Sequence, residues 1–290
     1  MTLDEVIARV PEWRGARVRC TTPLEGGITN ENHRVEVDGE AFVVRLGGQS
    51  ADLLGIDRVC ERAAAETAAR LGIGAEVVYA FPEEGVLVTR WVPGRTLGAE
   101  DVARPEILPR VVAVLRTVHG AAPVEGRFSP FRTAETYRTV ARRHGVAGPA
   151  ELDDWLAWAR RLEATLPPMP AVFCHNDLLA ANFVDDGLAL RLLDWEYAAM
   201  GDPFFDLGNL AANAELPPEA EARLLAAYFG PAGRPSDAFR RLAVMRVASD
   251  LREATWGLVQ AGISRLAFDF AGYAARHFAR VAAGAAALGR

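Results

Sequence analysis

The amino-acid sequence predicts an α+β fold of two lobes, in which a small β-sheet lobe precedes a larger, mainly helical lobe. Three observations predict it. Short segments rich in Val and Phe alternate with turns over residues 1–90, around one helical segment. The Pro93-Gly94 pair then breaks this pattern. Beyond it, most of the chain has the apolar spacing of helices. We therefore expect an N-terminal lobe over residues 1–93 and a C-terminal lobe over residues 94–290, a length that allows a sizeable core.

The predicted N-terminal lobe contains five strands and one helix. The strands are expected at Arg17–Thr21, His33–Val37, Ala41–Leu46, Val77–Ala80 and Gly85–Trp91. Asp38-Gly39, between the second and third strands, is a strong signal for a two-residue hairpin turn. The helix is expected over Asp57–Leu71, where Ala and charged residues predominate and Gly72 follows the last turn.

The predicted C-terminal lobe consists of helices with one short β region among them. Helices are expected over Ile107–His119, Thr133–His144, Ala150–Leu166, Glu219–Phe229, Asp237–Ala261 and Ser264–Leu288. Over Leu242–Leu258 the apolar residues recur three and four positions apart, as one buried helix face requires. The β region holds three short strands, at Val172–Phe173, Phe183–Val184 and Leu190–Leu193.

The composition excludes several classes of function. The chain carries 32 basic residues, all of them arginine, and 38 acidic residues, so its net charge is −6. An acidic surface argues against a nucleic-acid or anionic-membrane partner, because such binding rests on neutralising phosphates. The absence of lysine excludes Schiff-base lysine chemistry and a Walker-type phosphate loop.

The cysteines and the N-terminus bear on the compartment. Cys20, Cys60 and Cys174 are widely spaced and odd in number, which provides neither a disulfide framework nor a zinc motif. The first ten residues lack the apolar core of a signal peptide, and no uninterrupted apolar run approaches the ~18 residues that a membrane span needs. We therefore predict a soluble, cytoplasmic protein, and its oligomeric state is left open.

One segment carries the chemistry. His175 and Asp177 are followed by Asn182, five residues after the aspartate, and by Asp194 twelve residues later. A loop that leaves a strand at Asp177 lets this carboxylate accept the proton of a substrate hydroxyl. Asn182 and Asp194 supply hard oxygen ligands, which suit Mg²⁺ bridging the phosphates of ATP. Glu196 lies two residues on, so in extended backbone it faces the same side as Asp194.

This spacing resembles the H-x-D-x-x-x-x-N motif and following Asp of protein-kinase-like phosphotransferases. More closely, HND, LLDWEYA and FDLGN resemble the choline-kinase-like branch of the aminoglycoside phosphotransferase and choline kinase superfamily. The resemblance spans most of the chain. Leu24–Asn32 followed by FVVRL is similar to that family's nucleotide loop and next strand, GIDRVCE to its following helix, and SDLREATWGLVQ to its substrate helix. It implies a protein-kinase-like fold and ATP- and Mg²⁺-dependent phosphorylation of a small-molecule hydroxyl.

The resemblance assigns the nucleotide contacts residue by residue. Arg45, in FVVRL, stands where protein kinases use lysine to hold the α- and β-phosphates, and Glu61 would pair with it from the helix. The backbone of the segment before the Pro-Gly break would meet adenine as a hinge, at Arg90, Trp91 and Val92. Four loop residues would approach or contact the phosphates: Gly26, Gly27, Thr29 and Asn30.

The resemblance also implies support for the catalytic loop. His175 would hold this loop from within. Asp206, in FFDLGN, resembles the family's aspartate that braces the loop from beneath. A helix N-cap at the entrance to Leu207–Ala212 is an alternative role for Asp206.

Two absences favour a small-molecule acceptor over a protein. Only eleven residues separate Asp194 from Asp206, too few for the long activation segment with which protein kinases dock peptides. Asn176 replaces the arginine that would bind a phosphorylated activation loop. A nucleotide-binding pseudokinase without turnover is the alternative from another class, although such proteins typically lose one of the residues that this chain retains.

Choline is the first candidate acceptor. Choline kinases recognise a quaternary ammonium in an aromatic and acidic pocket, a cation–π site. The resemblance implies that Tyr197, Trp256 and Tyr273 line this pocket, with core packing as their alternative role.

Two positions depart from the choline-kinase pattern. Val259 stands where a second tryptophan of the substrate helix is expected. Asn213 stands where an acidic residue would face the ammonium group, although Glu215 is close by. These departures keep thiamine and ethanolamine as alternative acceptors, followed by an aminoglycoside or a sugar.

Overall fold

A computed structural model describes residues 1–24, 30–48 and 50–290. For residues 19, 20, 231 and 232 it describes the backbone alone. The predicted phosphate-contacting residues Gly26, Gly27 and Thr29 therefore lie outside the described residues. The strands are β1 (Val18–Leu24), β2 (Glu31–Val37), β3 (Glu40–Leu46), β4 (Val77–Phe81), β5 (Val86–Arg90), β6 (Arg95–Thr96), β7 (Val172–Cys174), β8 (Phe183–Asp185), β9 (Leu190–Leu192) and β10 (Ala199–Gly201). The helices are α1 (Leu3–Arg9), α2 (Arg58–Arg70), α3 (Ala99–Val102), α4 (Leu108–His119), α5 (Pro130–Arg143), α6 (Leu152–Thr165), α7 (Pro203–Asn213), α8 (Pro218–Gly233, interrupted at Gly230), α9 (Ala238–Ile263) and α10 (Phe270–Ala287).

The N-terminal part of the chain forms a five-stranded antiparallel sheet in the order β1-β2-β3-β5-β4. One face of this sheet is covered by α1 and the turn that follows it, where Val6 and Trp13 join Phe42 and Val44 of the central strand β3 in a small apolar core. Because side chains alternate along a strand, Arg45 points away from that core, to the opposite face. The sheet therefore presents Arg45 at its middle strand, towards α2.

Two local signals act as the sequence predicts. Asp38 and Gly39 both have positive φ angles, 50° and 90°, and join β2 to β3 through the pair Val37 and Glu40. Such a two-residue turn matches the twist of the strands. The N-cap of α2 is Asp57, whose carboxylate accepts hydrogen bonds from the amides of Val59 and Cys60.

Helix α9 is the centre of the larger core. It packs against α5, α7 and α10, and it is buried on all sides from Arg241 to Gln260 except at Ala243 and Arg246. The prediction of a single buried face over Leu242–Leu258 is therefore too narrow. Four charged residues of this helix, Arg241, Asp250, Arg252 and Glu253, lie inside this core, where a charge is costly unless it is paired.

The predicted α+β fold class is confirmed, because the antiparallel sheet is followed by a mainly helical part that contains the short strands β7–β10. The division at residue 93 stays a prediction. Just beyond it, β6 pairs with β8, so the chain joins the β region of the site directly after the Pro93-Gly94 break. Among the described residues, no helix is long and apolar enough to cross a membrane.

Four elements were not predicted from the sequence. The strands β6 and β10 span two and three residues, too few for a periodic signal, and α3 is a single turn. Helix α1 does carry a signal, the capping box between Thr2 and Glu5, that the sequence interpretation did not use. Helix α10 begins at Phe270 and not at Ser264, because Asp269 caps it through the amide of Gly272.

Gly208 in α7 provides a test of how closely α7 and α9 pack. A Cβ atom added there would lie 2.6 Å from Cβ of Met245 and 2.8 Å from its backbone carbon. We expect Gly208→Ala to lower the free energy of unfolding by roughly 1–3 kcal/mol, because overpacking forces the helices apart. Urea denaturation measures this change. Gly233→Ala is the matched control, since no atom lies within 4 Å of its added Cβ; a Gly208 variant as stable as this control would contradict close packing.

Candidate active site

Arg45 of β3 and Glu61 of α2 form a buried ion pair. Glu61 also accepts a hydrogen bond from Arg58, one turn earlier on α2, at 2.9 Å. Burial by itself would raise the pKa of Glu61, but the two arginines outweigh it and lower this pKa. Glu61 therefore stays ionised and fixes Arg45. The structure thus brings together the two residues that the sequence pairs, and it adds Arg58, whose position one turn from Glu61 was the available signal.

Asp194 lies beside this pair. Its carboxylate is 3.7 Å from Nη1 of Arg45, and 38% of its side-chain surface stays open. The backbone of Asp194 has a φ angle of 64°, and a turn follows at Glu196 and Tyr197. The predicted extended backbone from Asp194 to Glu196 is therefore wrong. The left-handed conformation of Asp194, and not strand alternation, sets the direction of both side chains.

Glu196 nevertheless lies close to Asp194. Carboxylate oxygens of Glu61, Asp194 and Glu196 all lie within 4.8 Å of one another. The protein atoms packed around the Asp194 carboxylate, and then the like charge of Glu196, raise the pKa of Asp194 well above its ordinary value, although part of its side chain stays open to solvent. Burial also raises the pKa of Glu196, with Arg45 opposing the rise. This cluster therefore holds more carboxylate charge than its arginines balance, which favours a cation at the open Asp194.

Glu196 is bound to the N-terminal part of the chain. Its Oε2 accepts hydrogen bonds from Nδ2 of Asn30 at 2.9 Å and from Nη1 of Arg58 at 3.1 Å. Asn30, predicted to contact phosphates, also accepts a hydrogen bond from Arg58 at 3.1 Å. Asn30 and Glu196 therefore link the end of the predicted nucleotide loop to the segment after β9. Their polar side-chain atoms form hydrogen bonds within the protein.

The predicted catalytic loop, residues 175–182, follows β7. His175 lies within it, accepts a hydrogen bond from the Asp177 amide and binds the carbonyl of Leu193 through Nε2 at 2.9 Å. Asn182 closes the loop, because its Nδ2 donates to the carbonyl of Asp177 at 3.0 Å and its own carbonyl accepts from the Leu193 amide at 2.9 Å. Because Leu193 directly precedes Asp194, its hydrogen bond to Asn182 places Asn182 close to Asp194.

The side-chain oxygens of Asn182 and Asp194 fit a magnesium ion. Asn182 uses its side-chain N–H for the loop, which leaves its side-chain oxygen as a ligand, and the Asp194 carboxylate is open. Oxygen donors of this type are the ligands that Mg²⁺ prefers. Glu196 fits less well, since its carboxylate is buried and binds Arg58 and Asn30.

Asn176 occupies a left-handed position in this loop, with a φ angle of 63°. Asparagine tolerates this conformation better than most residues. Its Nδ2 donates to the carbonyl of Tyr197 at 3.0 Å, and the side chain is fully buried. A small amide therefore fits both the backbone conformation and the core at this position.

Asp206 supports the loop from beneath. It is completely buried in the first turn of α7 and accepts hydrogen bonds from the amides of His175 at 2.9 Å and Asn176 at 2.7 Å. Nε2 of His119 lies 3.0 Å from Oδ2 of Asp206, the oxygen that also accepts from the His175 amide. Burial by itself would raise the pKa of Asp206, but the hydrogen bond and charge of His119 lead the contributions that lower it. The alternative role as N-cap is wrong, because Asp202 caps α7.

Helix α7 also holds Leu178, the residue that follows Asp177 in the loop. The Leu178 amide donates to Oδ1 of Asn209, and the Leu178 carbonyl accepts from Nδ2 of Asn213 at 3.2 Å. Asn213, predicted to stand near an acceptor, therefore binds the loop backbone. Glu215 is largely exposed and lies 3.6 Å from Arg280, so the structure does not bring it to the other predicted acceptor residues.

A cluster on α9 and α10 lies beside Asp177. Arg252 donates to Oδ1 of Asp177 at 2.7 Å and also pairs with Glu253. Oε2 of Glu253 accepts a hydrogen bond from the Tyr273 hydroxyl at 2.8 Å, and the rings of Tyr273 and Trp256 meet edge to face with centroids 5.6 Å apart. Of the predicted aromatic residues, Trp256 and Tyr273 therefore lie together next to a carboxylate.

Arg252 and Glu253 were missed from the sequence. Both lie in SDLREATWGLVQ, and a signal was available, because charged residues here interrupt the apolar spacing of a helix that is predicted to be buried. Tyr197 lies on the other side of this cluster, where the guanidinium carbon of Arg252 sits 4.3 Å above its ring. One face of Tyr197 is thus occupied by a residue of the protein itself.

The predicted hinge residues line a cavity of about 540 Å³, together with the end of α2 and the β8–β9 turn. The amide of Arg90 donates to the Glu76 carbonyl at 2.8 Å and that of Trp91 to the Ala41 carbonyl at 2.9 Å. In the part of the chain that the structure describes, Val92 alone of the three hinge residues keeps an amide without a backbone acceptor. Its amide is therefore the hinge donor that an adenine could use.

Comparison with known proteins found a matching family model and similar solved structures. The family model described as "Phosphotransferase enzyme family" matches residues 21–242. A solved structure described as a choline/ethanolamine kinase family protein from Mesorhizobium loti is 32% identical, covers 98% of this chain and 95% of its own, and has a TM-score of 0.81.

Two curated relatives are similar over much of the chain. Protein LicA of Haemophilus influenzae is 28% identical over 207 residues, which are 70% of this chain and 61% of that protein. Ethanolamine kinase 2 of Mus musculus is 27% identical over 309 residues, covering 92% of this chain and 76% of that protein. The chain thus spans less than two thirds of the length of the first of these relatives.

Asp206→Asn tests the support of the catalytic loop. Because the pKa of Asp206 is lowered in the folded state, the stability it provides is present above the ordinary carboxyl pKa and is lost as the pH falls through the lowered value. At neutral pH we expect the variant to lose roughly 1.5–3 kcal/mol of unfolding free energy, since it weakens hydrogen bonds to a charged group. Urea denaturation over a series of pH values should show this loss shrinking on acidification.

The exposed Asp52 is the control, and Asp52→Asn should change the unfolding free energy little at any of these pH values. If the unfolding free energy lost in Asp206→Asn stays constant with pH, the support of the loop does not depend on an ionised Asp206 carboxylate.

Proposed function

The chain belongs to the phosphotransferase enzyme family, and from this premise we propose that it transfers the γ-phosphoryl group of ATP, with Mg²⁺, to the hydroxyl of a small cationic alcohol. Choline is the first acceptor proposed and ethanolamine the second. A cytoplasmic location is part of the proposal, because three scattered cysteines suit a reducing compartment.

The observation that carries the proposal is the meeting of Arg45, Glu61 and Asp194. The three residues come from β3, α2 and the segment after β9, yet Arg45 contacts both carboxylates. A guanidinium held by Glu61 next to an open carboxylate can neutralise phosphate oxygens while the carboxylate holds a metal ion. A purely structural ion pair does not require the third residue.

Asn182 and Asp194 would hold Mg²⁺ through their side-chain oxygens. When bound, this ion neutralises the charge that develops on the transferring phosphoryl group. Arg45 orients the phosphates with its fork of donors. Glu196, expected from the sequence to assist the metal, instead binds Arg58 and Asn30 and lies next to Asp194.

Asp177 is the residue that meets the acceptor hydroxyl. Burial raises the pKa of its carboxylate, and Arg252 opposes this rise. A carboxylate in this position orients the hydroxyl and accepts its proton as the bond to phosphorus forms. Positioning and electrostatic stabilisation then supply most of the rate.

A cationic acceptor is supported by the charges around Asp177. Two carboxylates, Asp177 and Glu253, share one guanidinium, that of Arg252. The remaining negative charge lies next to the rings of Trp256 and Tyr273, and such an aromatic and acidic environment favours an ammonium group. Glu253 takes the role that the sequence suggested for the position of Asn213.

Ethanolamine is retained because of one further observation. The Glu253 carboxylate and the Tyr273 hydroxyl lie 2.8 Å apart and could both accept hydrogen bonds from a primary ammonium. Choline has no such donor. The similar structure from Mesorhizobium loti is described by both names, as a choline/ethanolamine kinase family protein.

We expect the purified protein to release ADP from Mg-ATP in the presence of choline or ethanolamine. The panel includes thiamine, a simple sugar and an aminoglycoside. Asp177→Asn should lower turnover by about 10²–10⁴-fold, the usual contribution of a general base, with its folding checked by thermal denaturation. Turnover with none of the acceptors above the ATP-only background would favour the nucleotide-binding pseudokinase.

Glu253→Gln tests the acceptor pocket. Removal of the charge should raise KM for choline by about tenfold, equivalent to ~1.4 kcal/mol, and leave KM for ATP unchanged. Glu215→Gln is the matched control, because this carboxylate is exposed and pairs with Arg280. Equal effects of both variants, or an equal rise of KM for ATP, would remove Glu253 from the pocket.

A further inference from the structure

Arg252 is an unusual residue for the middle of a core helix. Its side chain is 2% exposed, and it is among the largest fully buried side chains of the described chain. It contacts three groups: Oδ1 of Asp177 at 2.7 Å, the carboxylate of Glu253, and the ring of Tyr197, 4.3 Å from its guanidinium carbon. An arginine fixed on three sides loses its rotamer freedom and keeps one orientation.

We infer that Arg252 is a positioning residue for phosphoryl transfer: it holds one oxygen of the Asp177 carboxylate and leaves the other for the hydroxyl of the acceptor. The inference rests on the proposed function and concerns a residue outside the catalytic motif. It assigns to α9 a part in orienting the catalytic aspartate.

The hydrogen bonds of Asp177 support this inference. Its backbone amide and carbonyl are bound within the loop, by His175 and Asn182. In the part of the chain that the structure describes, the carboxylate has one hydrogen-bond partner, Nη1 of Arg252, which binds Oδ1. The torsion that turns an aspartate carboxylate is broad, so the Arg252 contact is what selects one orientation. Oδ2 is left to accept a hydrogen bond.

The surroundings of Arg252 keep it in place. Glu253 is the leading contributor that raises the pKa of Arg252 well above its ordinary value, against the effect of burial, and Asp177 follows. The ring of Tyr197 supports the guanidinium from below, and a planar guanidinium suits this stacking better than an ammonium group does. The contact with Asp177 is therefore built from three elements: α9, the catalytic loop and the segment after β9.

Arg252 also bears on where the acceptor lies. Its guanidinium covers a face of Tyr197 next to Asp177, so a second cation is repelled from that side. Nη1 of Arg252 contacts the carboxylates of both Asp177 and Glu253, and Glu253 continues to the rings of Tyr273 and Trp256 along α9 and α10. On the proposed function, the acceptor would place its hydroxyl at Asp177 and its ammonium group at Glu253.

The test compares Arg252→Met and Arg252→Lys with wild type, with kcat and KM measured for ATP and choline. We expect Arg252→Met to lower kcat about 10–100-fold, the cost of misplacing a reacting group, with KM for ATP unchanged within roughly twofold. Arg252→Lys keeps the charge and loses the planar fork, so its kcat should fall less, by about 3–10-fold.

Arg241→Met is the matched control. Arg241 is the other fully buried arginine of α9, 3% exposed, and it binds Asp237 and the carbonyl of Pro167, away from Asp177. Its substitution removes a buried charge from the same helix and should lower stability without lowering kcat of the folded enzyme.

Several outcomes would overturn the inference: a folded Arg252→Met enzyme with the kcat of wild type, a rise of KM for ATP that matches the loss of kcat, or an equal loss of kcat in Arg241→Met. If Arg252→Met does not fold, Arg252→Lys decides, and a wild-type kcat in that variant overturns the inference. Wild-type enzyme without turnover on any acceptor would instead defeat the proposed function, and the role of Arg252 with it.

Discussion

The hydrogen bonds that Asp206 accepts from the amides of His175 and Asn176 are the interaction on which the rest of the site depends. They fix a loop that has little regular structure of its own, and they do so from a completely buried carboxylate. Such bonds are strong because the acceptor is charged and water is excluded. Helix α7 can provide them only because Gly208 lets it approach α9 closely. The position of Asp177 is thus set by the packing of two helices beneath it.

Charge balance links the two halves of the site. On the proposed nucleotide side, Arg45 and Arg58 face three carboxylates, those of Glu61, Asp194 and Glu196. On the proposed acceptor side, Arg252 faces Asp177 and Glu253. Each side therefore has one carboxylate in excess among the described residues, and such an excess favours a cation. A metal ion on one side and a cationic acceptor on the other would balance both.

The absence of lysine has a local consequence at Arg45. Nη1 of the guanidinium binds Glu61 and lies 3.7 Å from Asp194, and the guanidinium carries further N–H donors that a single ammonium nitrogen does not spread over a fork. An arginine on this strand is therefore suited to hold the helix and still face the metal side of the cleft. The composition that excludes a Walker-type loop is compatible with phosphoryl transfer through this geometry.

The sequence by itself determined the local features of this protein: the Asp38-Gly39 hairpin, the Asp57 cap of α2, most of the longer strands and helices, and the spacing from His175 to Asp194. It also paired Arg45 with Glu61, because a family pattern fixes that pair. The tertiary structure alone decided which polar groups meet across long stretches of chain. Asp177 and Arg252 lie 75 residues apart, and a helix buried on all sides gives no periodic signal for which charges face a site. Asn213 and Glu215 were assigned to the acceptor for the same reason, since proximity in sequence does not say that one binds the loop backbone and the other faces solvent.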